Sequence, residues 1–357
     1  MRGIVSQELK KLIEEEVLPG AALRVRQRGE IVFEECEGYA DREAKIAVKE
    51  NTIYRLCSMS KLITAVGVMQ LYEKNLLSLD DKITKYFPEY PVDKADVTIR
   101  HLLNHCCGYG QGEKGTAYLL ETLDMKEILE DRVKKWAYMP LDYPVGTSPA
   151  YSGIVSFDTL GRIIEIVSGQ DLFIYFRKNI FEPLEMNDTV FCLDEEKQSR
   201  SAKLYSGEDG ELKPVPNQMP YVSARNGYYS GAAGLYGTLN DFDTFTTMLY
   251  YGGTWKGKQI IKEDTLKLMR TPRQILNSEA VPGCPWGLGF MIFEQPEKAG
   301  RSLGRNTFGW SGAYGTHMYI DPKNDLCMTL MAGRADIGGA GSIASKRLED
   351  AIFQEFC

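Results

Sequence analysis

No stretch of this sequence approaches the ~18 consecutive apolar residues that a membrane-spanning helix needs, so no membrane span is expected. Basic residues never gather into a run. The 42 lysines and arginines are interspersed with 49 acidic residues, leaving a net charge of −7 and none of the electropositive footprint that a nucleic-acid partner requires. Histidine is scarce. His101, His105 and His317 are too few and too irregularly spaced for a zinc site, so neither a metal nor a cofactor is expected. The eight cysteines, at 36, 57, 106, 107, 192, 284, 327 and 357, show no CxxC spacing and read as free thiols, several of them core fillers. Disulfide frameworks belong to short exported chains, which this does not resemble. Internal repeats and low-complexity segments are also missing.

What is present is an ordinary globular composition over 357 residues, 43% hydrophobic and 25% charged. A chain of that size buries roughly three quarters of its unfolded surface. The segment Gln7 to Glu16 is amphipathic at helical spacing and too charged for a signal peptide, which places the chain in the cytosol. Ala21 to Arg26 alternates, Arg28-Gly29-Glu30 turns, and Ile31 to Cys36 forms a second strand. From Ser58 to Lys74 the residues are apolar on most sides, predicting a central buried helix. Thr98 to His105 is another helix, and 109–147 reads as mainly helical and polar. Phe157 to Ser168 is helical and stops at Gly169. Loops and short strands follow from about 190 to 230. Asp241 to Tyr251 and Lys262 to Met269 are helical. Strands are predicted at Gly287 to Phe293, His317 to Asp321 and Leu326 to Ala332, and a helix from Ser342 to Phe356 closes the chain. Strands at both ends around a helical middle predict an α+β fold: one antiparallel sheet built from both termini, with an inserted helical lobe. The expected organisation is a single catalytic domain over 1–357, with an α/β lobe at 1–55 and 255–357 and a mainly helical lobe at 56–254.

Ser58-Met59-Ser60-Lys61 matches the S-x-x-K pattern. Residues three apart on a helix share a face, so the Lys61 amine can reach the Ser58 hydroxyl. Burial disfavours the charged amine, and a neutral amine beside a serine supplies the base that a weak hydroxyl nucleophile needs. Taken alone, the tetrapeptide also fits a helix-capping serine and a solvated lysine. Cys57, one step from Ser58, points elsewhere and reads as a packed thiol. Ser60 lacks the spacing to Lys61. His105 and His317 read as loop or core histidines rather than proton carriers.

The sequence around that motif resembles the family of class C β-lactamases, D-alanyl-D-alanine peptidases and family VIII carboxylesterases. The resemblance runs from Leu18-Pro19-Gly20-Ala21-Ala22 to the final helix. It is carried by Gly38-Tyr39-Ala40-Asp41, the segment Tyr54 to Lys61, Leu79-Asp80-Asp81, Thr98 to His105, Ile180 to Thr189 and Gly231-Ala232-Ala233-Gly234-Leu235, all in the family's order. It implies a β-lactamase/transpeptidase-like fold and an acyl-enzyme hydrolase with Ser58 as nucleophile and Lys61 as its proton partner. Tyr151, in Tyr151-Ser152-Gly153, takes the place of the tyrosine in the family's Y-x-N motif and would share the Lys61 proton. Gly153 departs from the asparagine, removing an amide that holds the substrate's acyl-side carbonyl. In Trp310-Ser311-Gly312, the family's K-T-G or H-T-G strand motif has tryptophan in place of the cation. The backbone N–H groups of Ser58 and Ala313 would form the oxyanion hole.

An indole offers a flat wall and one N–H where a lysine would bind a substrate carboxylate. Losing that charge-assisted contact costs about 1.5–3 kcal/mol, which turns the expectation from antibiotics toward carboxylic esters. Trp310, Ser311, Gly312, Gly153 and Tyr314 are the expected substrate-binding residues, and Tyr228 and Tyr229 are further candidates to line the cleft. The partner is thus a small-molecule ester, amide or lactam. A β-lactamase or D,D-peptidase is one alternative, and a non-catalytic binding protein on the same fold is another. The natural acyl and leaving groups, and the oligomeric state, are not legible.

Overall fold

The computed structural model describes residues 3–110, 112–208, 211–216, 219, 222, 227–272 and 281–357. Arg28 and Gly29 hold φ angles of 53° and 84°. Two successive left-handed residues make a hairpin turn whose twist suits the flanking strands, so β1 (Gly20–Gln27) folds back on β2 (Glu30–Asp41). The strand β3 (Ile46–Ala47) adds to β2. Four more come from the other end of the chain: β4 (Met291–Phe293), β5 (Thr307–Ser311), β6 (His317–Asp321) and β7 (Leu326–Ala332). β7 pairs antiparallel with β1, Ala22 opposite Met331, and closes one seven-stranded sheet in the order β4-β5-β6-β7-β1-β2-β3. The expected α+β architecture, with a sheet assembled from both termini around a helical middle, is the observed one.

Both faces of the sheet are covered. Ala21, Leu23, Val25, Met328 and Leu330 face the terminal helices Ile4–Glu14 and Ile343–Phe356, meeting Val5, Leu9, Leu12, Leu348 and Ile352. Ala22, Met318, Ile320, Cys327 and Met331 face the other way, into a core shared with the helices of the middle. Burial on both sides explains why Leu326–Ala332 is an almost unbroken apolar run. Arg24 and Arg26 are charged residues of β1 that both reach Asp243. Of the two, Arg24 is the more buried. It reaches Asp243 at 3.0 Å and Asn240 at 2.7 Å, pinning the helix Leu239–Tyr250 to the sheet.

Three elements differ from the expectation. Of Gly287 to Phe293 only Met291–Phe293 is a strand, because the amide of Gly287 closes a tight turn on Phe290 O at 2.8 Å and leaves the ladder. Among the described residues, the segment 109–147 holds two helices, Glu113–Glu121 and Leu129–Trp136, with turns around Pro140 and Pro144. The helix expected from Ser58 begins at Ser60 and follows a 3₁₀ turn, Cys57–Met59. Among the described residues no helix is long and apolar enough to cross a membrane.

Candidate active site

Ser58 sits on a forced bend. The short strand Tyr54–Arg55 runs into the Cys57–Met59 turn, and Cys57 takes a φ of +48° although it carries a Cβ. Such a left-handed residue costs roughly 1–3 kcal/mol and persists only where its surroundings over-determine it. They do here. The Leu56 amide donates to Leu235 O at 2.9 Å, and Thr316 Oγ1 donates to Leu56 O at 3.1 Å. The end of β5 presses on the same turn: a Cβ on Gly312 would lie 2.3 Å from Leu56 O, so only glycine fits that approach. Cys57 is a packed thiol, as expected, and burial pushes its pKa up to about 11, opposed in part by the Tyr314 and Ala313 amides beside it. The strand end that carries Ala313 therefore lies against the residue preceding Ser58.

Lys61 is 1% exposed, one turn along the helix Ser60–Glu73. Its Nζ lies 3.1 Å from Ser58 Oγ, 2.7 Å from Gly153 O and 3.0 Å from Ala232 O. These three oxygens account for the hydrogen-bonding directions of a tetrahedral nitrogen, with Ser58 as one of them. The faces of Tyr151 and Phe157 lie 5.1 and 5.8 Å from the same nitrogen. Ser60, the other serine of the motif, accepts the Leu235 amide at 3.1 Å and is fully buried.

Tyr151 is brought to the same place. Its ring centroid is 4.7 Å from that of His105, 5.0 Å from Trp310 and 5.8 Å from Trp286. Its hydroxyl oxygen accepts the Trp310 indole N–H at 3.1 Å, while the Lys61 hydrogen bonds go to Ser58 and the two carbonyls. The indole donor expected to meet substrate is thus committed to Tyr151. His105 sets the tyrosine's backbone: its carbonyl accepts the Ala150 amide at 3.1 Å, and its Nδ1 accepts the Ser152 amide at 3.1 Å. Burial first, and then the Lys61 charge, hold the His105 pKa well below its ordinary value, so the ring is a neutral acceptor rather than a proton carrier.

The remaining sequence candidates divide. Gly153 contributes its carbonyl to Lys61, and a Cβ on it would meet nothing within 4 Å, so open space stands where the related motif has an asparagine side chain. Ser311 turns away from the cleft, its Oγ 2.5 Å from His317 Nδ1 on the terminal-helix face. Tyr314 is buried and lines a cavity of about 450 Å³ with Tyr54, Arg55 and Tyr236, beside the nucleophile turn rather than over Ser58. Tyr228 is buried with its hydroxyl on Asp158, and Tyr229 packs 5.1 Å from Phe191. Sequence reasoning missed Asp158, which also accepts the Ala232 amide at 2.8 Å, and the two lysine-binding carbonyls. A peptide oxygen leaves no trace in residue identity. Asp158 alone offered a signal, as a carboxylate inside an otherwise apolar helix face.

The family model described as Beta-lactamase matches residues 5–349. The chain is 28% identical to the esterase EstB of Burkholderia gladioli, over 96% of this chain and 92% of that one. It is 26% identical to a putative D-alanyl-D-alanine carboxypeptidase of Escherichia coli strain K12, over 88% of this chain and 78% of that one. Among solved structures, EstCE1, a hydrolase with promiscuous acyltransferase activity, superposes with a TM-score of 0.85 at 26% identity, covering 98% and 97% of the two chains.

Proposed function

Because this chain belongs to the Beta-lactamase family, we propose that it is a serine hydrolase that cleaves carboxylic esters through an acyl-enzyme on Ser58. The observation that carries the proposal is the Lys61 amine at 3.1 Å from Ser58 Oγ, with two carbonyls taking its other directions. In the neutral form the amine spends two N–H bonds on Gly153 O and Ala232 O and points its lone pair at the serine hydroxyl. The serine proton passes to Nζ as Oγ attacks the ester carbonyl. The Ser58 and Ala313 amides receive the oxyanion, a contribution of the order of 10²–10³ in rate for each donor. Collapse expels the alcohol, which takes up the proton that Lys61 removed from Ser58, with the Tyr151 hydroxyl as its neighbouring donor. The Tyr151 oxygen already accepts from Trp310, which leaves its own O–H for the leaving group. Water, or a second alcohol, then attacks the acyl-enzyme by the same proton route in reverse.

Esters are favoured over β-lactams and D-alanyl peptides by two residues. Trp310 provides no cation for a substrate carboxylate, and Gly153 provides no amide for an acyl-side carbonyl. The similarity to EstB and EstCE1 supports the same choice. A D,D-peptidase or β-lactamase reading draws support from the carboxypeptidase relative. The intact Ser58–Lys61 contact weighs against a non-catalytic role.

A fluorophosphonate probe and a panel of p-nitrophenyl esters, nitrocefin and D-alanyl p-nitroanilide test the proposal. Labelling and ester turnover vanish in Ser58→Ala, and Lys61→Met lowers kcat by about 10²–10⁴-fold. Nitrocefin turnover faster than that of every ester would transfer the assignment to the β-lactamase reading. A folded wild type that takes up no label would favour the binding protein.

A further inference from the structure

Asp158 is a carboxylate at 0% exposure on the helix Val155–Ser168, which starts just beyond Tyr151 and Gly153. An uncompensated buried carboxylate is costly, so its neighbours must account for it. Its Oδ1 accepts from Ser230 Oγ at 2.8 Å and from the Ala232 amide at 2.8 Å, and its Oδ2 accepts the Tyr228 hydroxyl. All three donors lie on one loop, Tyr228–Ala232, and the buried Arg132 guanidinium lies 4.1 Å over the Tyr228 ring. The loop is stitched to the nucleophile helix at two more points. Thr64 Oγ1 donates to Gly231 O at 2.7 Å, and the Leu235 amide donates to Ser60 Oγ at 3.1 Å.

One peptide group in that loop faces both ways. The Ala232 N–H is held by Asp158, and the Ala232 carbonyl holds Lys61 Nζ at 3.0 Å. The second carbonyl on Lys61, that of Gly153, enters the same helix two residues before it begins. The first turn of Val155–Ser168 is thus a common ruler: one lysine acceptor hangs from it through the chain, the other through Asp158.

We propose that Asp158 is a positioning residue for the acyl-transfer chemistry, fixing the Ala232 carbonyl so that the Lys61 amine is aimed at Ser58 Oγ. The proposal rests on the serine hydrolase function above and deepens it. Asp158 touches no reacting atom. Its effect falls on the reactivity of Ser58 and not on substrate affinity, which a merely structural residue would not separate.

Asp158→Asn keeps the size and the acceptor oxygen but weakens the grip on the loop. With the folded fraction checked by thermal melting, the rate constant for fluorophosphonate labelling of Ser58 is expected to fall at least 10-fold. On p-nitrophenyl butyrate, kcat falls in parallel and KM stays within threefold. Labelling of folded Asp158→Asn at the wild-type rate, or a rise in KM with kcat unchanged, overturns the assignment. If that variant does not fold, Ser230→Ala decides. It removes one Asp158 donor and the 3.1 Å acceptor of the Ala233 amide, and a three- to tenfold loss of labelling rate is expected, whereas an unchanged rate overturns the proposal. Failure of the underlying function looks different. Wild-type protein would then not be labelled, or Ser58→Ala would be labelled equally well, whatever residue 158 does.

Discussion

Asp158 and Glu349 are equally inaccessible carboxylates on opposite sides of the same sheet, and their surroundings treat them in opposite ways. Glu349, on the helix Ile343–Phe356, receives the Arg301 guanidinium through both its oxygens and His317 Nε2 at 2.9 Å. Burial raises its pKa, but His317 and the Arg301 charge outweigh that and hold it below the ordinary value. Asp158 makes no ion pair among the described residues. Burial outweighs its three neutral donors and the more distant Arg132 charge, and its pKa lies above the ordinary value. The contrast follows from what each carboxylate must do. Behind the sheet a full ion pair can anchor a helix at no chemical cost. Beside Ser58, the proposed nucleophile, a carboxylate in direct contact with Lys61 would favour the charged amine, which cannot take a proton. Interposing the Ala232 peptide transmits position without transmitting a salt bridge.

The largest expected effect removes the cation from behind the sheet. Arg301→Met leaves Glu349 buried with a single partner and is expected to lower unfolding free energy by roughly 3–5 kcal/mol in urea titrations. Ser58 labelling of the folded fraction stays within about twofold of wild type. A loss below 1 kcal/mol would erase the distinction between anchoring and positioning carboxylates.

The pH dependence sharpens it. Glu349 has a depressed pKa, so its contribution is present above the ordinary 4.5 and is lost as pH falls through the folded value. Asp158 has a raised pKa, so its contribution is complete below the ordinary 3.8 and is lost as pH climbs through the folded value. The stability advantage of wild type over Glu349→Gln should therefore shrink on acidification. Its advantage over Asp158→Asn should shrink on raising the pH. Urea titrations from pH 3.5 to 7 that give both slopes the same sign refute the comparison.

The smallest effect lies at the cleft. Trp310→Phe keeps the aromatic wall and deletes the hydrogen bond to Tyr151. A bond worth about 0.5–1.5 kcal/mol corresponds to a two- to thirteenfold fall in kcat on p-nitrophenyl esters. A change confined to KM would instead return the indole N–H to the substrate.

The individual strands and the Ser58–Lys61 motif were legible in the sequence because both are local. Leu326–Ala332 shows its double burial in its own composition, and Ser58 and Lys61 are one helical turn apart. Tyr151 was legible through resemblance, since nothing near it in sequence points to a lysine 90 residues earlier. The direction of Ser311 was not legible: alternation along β5 sends its side chain to His317 while Trp310 faces the cleft. Asp158 escaped because its role depends on a loop 70 to 74 residues away, and on a peptide group whose function is independent of the alanine it belongs to.

The pairing of β1 with β7 carries a consequence for biosynthesis. Gln27 must wait for Leu326, roughly 300 residues later, before that edge of the hairpin is covered. At 5–20 residues per second the delay is about 15–60 s. The turn bearing Ser58 is clamped by Thr316 and crowded by Gly312, which emerge almost as late. A ribosome-bound chain therefore carries Ser58 long before its turn is clamped, and the chemistry proposed for it must wait for the strands near Thr316 and Leu326.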